Sequence, residues 1–252
     1  MKKFFLALIL VCQVLEGFQP GELFIVVPGT WAIKEKWYTL GGDFFSAVQR
    51  SVVRDGHKVL WFRWISDNYE SSRQTAAQEL AYTIGCLDPS IVLHIIAHSH
   101  GVNVALGACQ LLAQRSINQR IKTFYALAAP VYEETYKPDM RVIGRLYNLY
   151  SLNDAIQTVL GHQRAFGHQI GIINMRTFID GKEPNHSDMH SPVIGQWLAW
   201  LASRPCPNPS CVYFSNTRSP EVRKNTEFER ELLQDKPLNL PSLFDFRKKI
   251  KK

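Results

Sequence analysis

The most constraining stretch of this chain is an apolar run, Ile91 to Ala97, that passes without a linker through His98, Ser99 and His100 into a helical segment, Gly101 to Gln114. The run is interrupted only by His94, follows a turn signal at Asp88-Pro89, and is the strongest strand candidate in the sequence. In the segment after it, Val102, Ala105, Leu106, Cys109 and Leu112 recur at helical spacing and predict one apolar face. A buried strand feeding directly into an amphipathic helix is the unit from which mostly parallel sheets are built, so the chain is directed toward an α/β architecture.

The remaining pattern agrees. Strands are predicted at Leu23 to Val27, His57 to Trp64, Lys122 to Leu127, Arg145 to Tyr150 and Ile172 to Ile179, separated by helices at Phe44 to Val53 and Gln74 to Ile84. Ser191 is placed to cap a last core helix that starts at Pro192, with Val193, Ile194, Trp197, Leu198 and Leu201 as its apolar stripe. The expected fold class is α/β, a mostly parallel central sheet flanked by helices. A length of 252 residues suits one such core. After Arg204 the composition changes to a Pro-rich turn, a charged helix from about Pro220 to Gln234, and a basic tail. Residues 205–252 are therefore read as an appendage to a domain spanning 21–204.

Residues 1–20 read as a signal peptide or N-terminal anchor: Lys2 and Lys3 precede an apolar run from Phe4 to Val14, too short to span a bilayer comfortably. A buried first strand is the alternative, and lipidation at Cys12 would require a small residue in place of Val11. The expected location is secreted, periplasmic or envelope-associated. In an oxidising compartment Cys206 and Cys211, which bracket a turn-forming Pro-Asn-Pro-Ser, form the one local pair suited to a disulfide. Cys86 and Cys109 read as core residues.

The formal net charge of +7 invites a nucleic-acid reading. Arg247, Lys248, Lys249, Lys251 and Lys252 supply most of it and the leader adds to it, so the body is left without a basic stripe for a phosphate backbone. Nucleic acid is excluded as a partner. The tail itself is either a solvated terminus or a peripheral contact with an anionic membrane.

The segment IVLHIIAHSHGVNVALG resembles the nucleophile elbow of the α/β hydrolases, in which a tight strand-to-helix turn lifts a serine above the sheet. Ala97 stands where that pattern has a glycine, Gly101 is retained, and Ser99 falls at the nucleophile position. The resemblance implies an acid and then a histidine downstream. Asp154 follows the Arg145–Tyr150 strand, and His186 follows the Ile172–Ile179 strand ahead of the closing helix. His190, immediately before Ser191, is the second choice for the base, and Asp188 is read as a loop carboxylate. The oxyanion donors implied are the amide of His100 and one from the segment FIVVPGTWA, supplied by Thr30 or Trp31, with Pro28 in place of the family's usual histidine.

His98 and His100 flank Ser99 on a sharp turn without an accompanying carboxylate or cysteine, so no metal and no cofactor are called for. His98 is read as packed beside the elbow and His94 as a core histidine. Little chain separates the Leu127 and Arg145 strands, so the cap domain is expected to be small or missing and the site open. Within the resemblance, a small capless lipase or esterase acting on a lipid-like or acylated ester is the activity implied. A thioesterase or acyltransferase using the same residues, and a non-catalytic binding module on the same scaffold, are the alternatives.

Overall fold

A computed structural model describes residues 21–52, 56–116, 121–160 and 163–234. Eight strands form one sheet in the order β2-β1-β3-β4-β5-β6-β7-β8. They are β1 (Glu22–Val27), β2 (Lys58–Trp61), β3 (Val92–His98), β4 (Ile121–Leu127), β5 (Leu146–Tyr150), β6 (Ile172–Ile179), β7 (Ser210–Phe214) and β8 (Glu221–Lys224). Neighbouring strands run parallel up to β7, and only β8 is antiparallel to its neighbour.

The strand side chains alternate between two cores, as a period of two requires. Leu23, Ile25 and Val27 of β1 face one layer with α2 (Glu70–Gly85) and α3 (His100–Gln114). Phe24 and Val26 face the other, formed by α1 (Asp43–Val52), α5 (Pro192–Gly195) and α6 (Leu198–Ala202). The central strands are buried on both faces, which is why β3 and β4 read as nearly continuous apolar runs. A short α4 (Ala155–Leu160) follows β5. The chain between β4 and β5 carries turns and no helix, so no large cap covers the C-terminal edge of the sheet.

Several expectations are corrected. The segment after Arg204 does not stand apart, because β7 pairs in parallel with β6 and β8 pairs with β7. The charged stretch from Pro220 is not one helix but β8 followed by α7 (Phe228–Gln234). The last core helix is broken into α5 and α6 around Gln196 and Trp197, and the Ser191 hydroxyl makes no capping bond. Strand β2 ends at Trp61, because the chain beyond it turns away to let Trp64 Nε1–H donate to the Pro28 carbonyl at 2.9 Å. Cys206 and Cys211 are both free thiols, with Cys211 fixed on β7, and Cys86 is exposed at the end of α2 rather than in the core. The 1–20 leader, Cys12 and the Arg247–Lys252 tail lie outside the described residues. Among the described residues no helix is long and apolar enough to cross a membrane.

Candidate active site

Ser99 sits between β3 and α3 with φ 54° and ψ −135°, a backbone conformation that costs a non-glycine residue about 1–3 kcal/mol. Surrounding contacts hold it there. Ser99 N–H donates to the Leu127 carbonyl at 2.9 Å, and the Ser99 carbonyl accepts from Val102 N–H at 2.9 Å. The turn is tight enough to dictate its neighbours. A Cβ at Gly29 would lie 2.7 Å from Ser99 Cβ, and one at Gly101 would lie 2.5 Å from the Pro28 carbonyl oxygen. Glycine at 29 and 101 is thus a consequence of the close approach of the β1 loop to the elbow.

His186 and Asp154 reach this serine from the loops after β6 and β5. His186 Nε2 lies 3.0 Å from Ser99 Oγ, and His186 Nδ1 lies 2.7 Å from Asp154 Oδ2. The carboxylate is 1% exposed, and its other oxygen accepts the Ile156 amide at 3.0 Å, so it also caps α4. With Nδ1–H given to Asp154, Nε2 is left to accept the serine proton. The loop around His186 has its own support: Asn185 Oδ1 accepts the amides of Ser187 and Asp188 at 2.9 and 3.0 Å. Asp188 bonds back to the Asn185 amide at 3.2 Å.

His190 is held elsewhere. Its ring stacks on Trp37 at 4.1 Å with 5° between the planes and meets His98 edge-on at 4.7 Å. Burial pushes its pKa down to about 4, helped by the nearby His186, which keeps it neutral. His98 is buried between His186 and His190, with its pKa driven well below the ordinary histidine value mainly by that burial. Its Nε2–H donates to the His186 carbonyl at 3.0 Å. That bond and the Trp37–His190 stack join residues far apart in sequence.

The two candidate donors in the β1 loop separate. The Trp31 amide is bonded to the Ser66 carbonyl, so Trp31 is corrected as an oxyanion donor and Thr30 remains. On the other side, His100 opens α3, where the first amides of a helix have no partner within it. The His100 ring points away, its Nδ1 3.1 Å from Asn103 Nδ2, and burial lowers its pKa to about 3. Arg73 lies in the first turn of α2 and pairs with Glu70 at 3.0 Å, while His168 is exposed on a loop. Among the described residues no group of three or more His, Cys, Asp or Glu side chains is arranged to hold a metal ion.

The parallel sheet and the strained serine at its C-terminal edge decide the fold class. The chain has an α/β fold, a mostly parallel sheet flanked by helices, that resembles that of the α/β hydrolases. No family model matches it, and no curated protein matches it in sequence. Among solved structures it is similar to the catalytic core of acetyl xylan esterase from Trichoderma reesei, with 10% identity over 73% of this chain and 96% of that one and a TM-score of 0.43. It is also similar to a type II thioesterase of the yersiniabactin pathway, with 12% identity, 80% and 88% coverage and a TM-score of 0.37. A cutinase-like protein from Cryptococcus sp. is 17% identical over 44% of this chain, with a TM-score of 0.35, and the chain spans 54% of its length. Likeness at these levels carries no argument, and any activity has to be argued from the site.

Proposed function

We propose that this chain is a serine hydrolase of carboxylic esters, with Ser99 as nucleophile, His186 as general base and Asp154 as the residue that orients and stabilises the imidazole. The observation that carries the reading is the continuous relay from Asp154 through His186 to Ser99, at 2.7 and 3.0 Å, on a strained strand-to-helix turn. In this reading Ser99 Oγ attacks the ester carbonyl while His186 Nε2 takes its proton. The amides of His100 and Thr30 receive the oxyanion, and the imidazolium returns its proton to the leaving alcohol. A water deprotonated by the same nitrogen then releases the acid from the acyl-enzyme. No cofactor enters the scheme.

A lipid-like or otherwise apolar acyl substrate is favoured by the rim of the site. Trp31, Ile33 and Ile65 are 59%, 41% and 58% exposed. They belong to one surface, because the amides of Trp31 and Ile33 bond to the carbonyl and hydroxyl of Ser66. Exposed apolar side chains on the loop that follows Gly29, which packs against Ser99, suit a substrate that supplies the missing apolar contact. Thioester hydrolysis and acyl transfer would use the same relay. The signal-like leader fits a secreted or envelope-associated setting.

The test is labelling with a fluorophosphonate together with turnover of esters and a thioester of varied chain length. The wild type and the Ser99→Ala, His186→Ala and His190→Ala variants are compared. Labelling and turnover are expected to vanish with Ser99→Ala, collapse with His186→Ala, and survive His190→Ala with reduced rate. A wild-type protein that neither labels nor turns over any acyl substrate refutes the hydrolase reading in favour of a binding module. Loss with His190→Ala alone would reassign the base.

A further inference from the structure

A half-buried arginine links the end of the described chain to both loops that carry the Asp154–His186 pair. Arg176 lies on β6, in register with Tyr150 of β5 and Cys211 of β7. Its Nη1 bonds Glu231 Oε1 of α7 at 2.7 Å, and its Nε bonds Glu183 Oε1 at 3.1 Å. Glu231 is 4% exposed and uses its second oxygen to accept from Tyr150 Oη–H at 2.7 Å and Asn225 Nδ2–H at 3.0 Å.

Glu183 stands three residues before His186 and turns its second oxygen to the other loop, where it accepts the Leu152 amide at 2.6 Å. Two further bonds cross the same gap: Ser151 Oγ–H donates to the Pro184 carbonyl at 2.6 Å, and Asn153 Nδ2–H donates to the Glu183 carbonyl at 3.3 Å. The Asp154 amide in turn bonds the Ser151 carbonyl. The acid loop and the base loop are therefore fastened to one another by the residues immediately before Asp154 and His186.

We propose that Glu183 is a positioning residue that clamps the Asp154 loop to the His186 loop, and that Arg176 and Glu231 fix its carboxylate, making the C-terminal β8–α7 segment part of the catalytic apparatus. Burial works against the charge on Arg176, yet the hydrogen bonds and charges of Glu183 and then Glu231 outweigh it and hold the pKa above its ordinary value. Charge networks of this kind, largely withdrawn from solvent, are a poor way to gain stability, but they fix geometry, because each member has little freedom to seek another partner. Glu231 bonds neither Asp154 nor His186 itself, so any effect it has on turnover passes through Arg176 and Glu183, or through Tyr150 at the end of β5.

This inference rests on the hydrolase reading, and its test has a readout that does not. The Nδ1 proton of His186, shared with Asp154, is followed as a downfield proton resonance in the full chain, alongside kcat, KM and the pH profile. Glu231→Gln and Glu183→Gln are expected to lower kcat by up to about 100-fold with little change in KM, in folded protein, and to broaden or lose the resonance. Glu231→Asp, which restores the charge, is expected to recover part of both. Should Glu183→Gln fail to fold, the two Glu231 variants carry the test. Wild-type kcat and an unchanged resonance in folded Glu231→Gln would overturn the proposal. If the wild type shows the resonance but no turnover, the hydrolase reading fails, and the response of the resonance to Glu231→Gln still decides the clamp.

Discussion

The two edges of the sheet carry the same three kinds of group and put them to different use. At the C-terminal edge are Asp154, His186 and Ser99. Toward the N-terminal edge, Glu22 Oε2 lies 3.2 Å from His94 Nε2, and His94 Nδ1 meets the hydroxyl of Thr123, so carboxylate, imidazole and hydroxyl again stand in a row. There the resemblance stops. His94 and Thr123 face each other in register across β3 and β4, on extended backbone, with Phe24 stacked on the imidazole at 4.2 Å. Glu22 is shared with Lys122 and His57, and Thr123 is buried within the sheet. Among the described residues no helix begins beside that hydroxyl to offer amide donors. Composition is thus not what makes Ser99 a candidate nucleophile; the strained turn, the helix start and the open edge do that.

The comparison breaks most readily on a pair of substitutions. Asp154→Asn should lower kcat by about 10⁴-fold, because the imidazole loses the acceptor that sets its tautomer. Thr123→Val keeps the side-chain shape and should leave kcat within about two-fold, because its row has no access to substrate. Steady-state kinetics on a short soluble ester would settle both, and a large loss with Thr123→Val would mean that the inner row supports the site after all.

A second substitution sharpens what the elbow contributes. Gly101→Ala drives a methyl group to 2.5 Å from the Pro28 carbonyl oxygen, and that atom belongs to backbone, which has little room to give. Overpacking of this sort costs about 1–3 kcal/mol. The loop displaced carries Thr30, so activity should fall further than stability, by up to about 100-fold. Denaturant midpoints and kcat measured together separate the two losses. A variant that loses stability but keeps wild-type kcat would show that the loop does not hold an oxyanion donor.

Much of this edge was legible in the sequence because its signals are local. The Ile91–Ala97 run and the small residues around Ser99 follow from short-range pattern, and the order of Asp154 and His186 after their strands is what the resemblance to the α/β hydrolases implies. Three things were hidden because they depend on contacts between distant segments. The Trp31 amide looked available until Ser66, on another loop, took it. Ser210 to Phe214 is a short strand amid proline-rich turns, and nothing local reveals that β6 has a vacant side for it. Glu231 reads as one more charge on a polar helix, yet Tyr150, Arg176 and Asn225 bury it. His190 and His186 stand in the same loop, and what separated them was the ring of Trp37.

The smallest expected effect is on stability, and it bears on both edges at once. His190 beside the relay and His94 at the opposite edge are each held near a pKa of about 4, chiefly by burial, against an ordinary value of 6.5. Their folded-state pKa values are depressed, so the unfolded chain takes up protons first as pH falls. The stability they confer is complete above about pH 6.5 and is lost as pH drops toward 4. Each such histidine adds about 1.4 kcal/mol per pH unit to the slope across that window. His190→Phe, which preserves a ring for Trp37 to stack on, should flatten the slope by about one such increment. Because its ring lies beside His186 without sharing the relay, the variant should still label with a fluorophosphonate at neutral pH. His94→Phe should flatten the slope equally without touching the labelled edge. An acid-stability profile in which neither variant departs from wild type would mean that both rings take up their protons at the same pH in the folded protein as in the unfolded chain, which burial against Trp37 and Phe24 argues against.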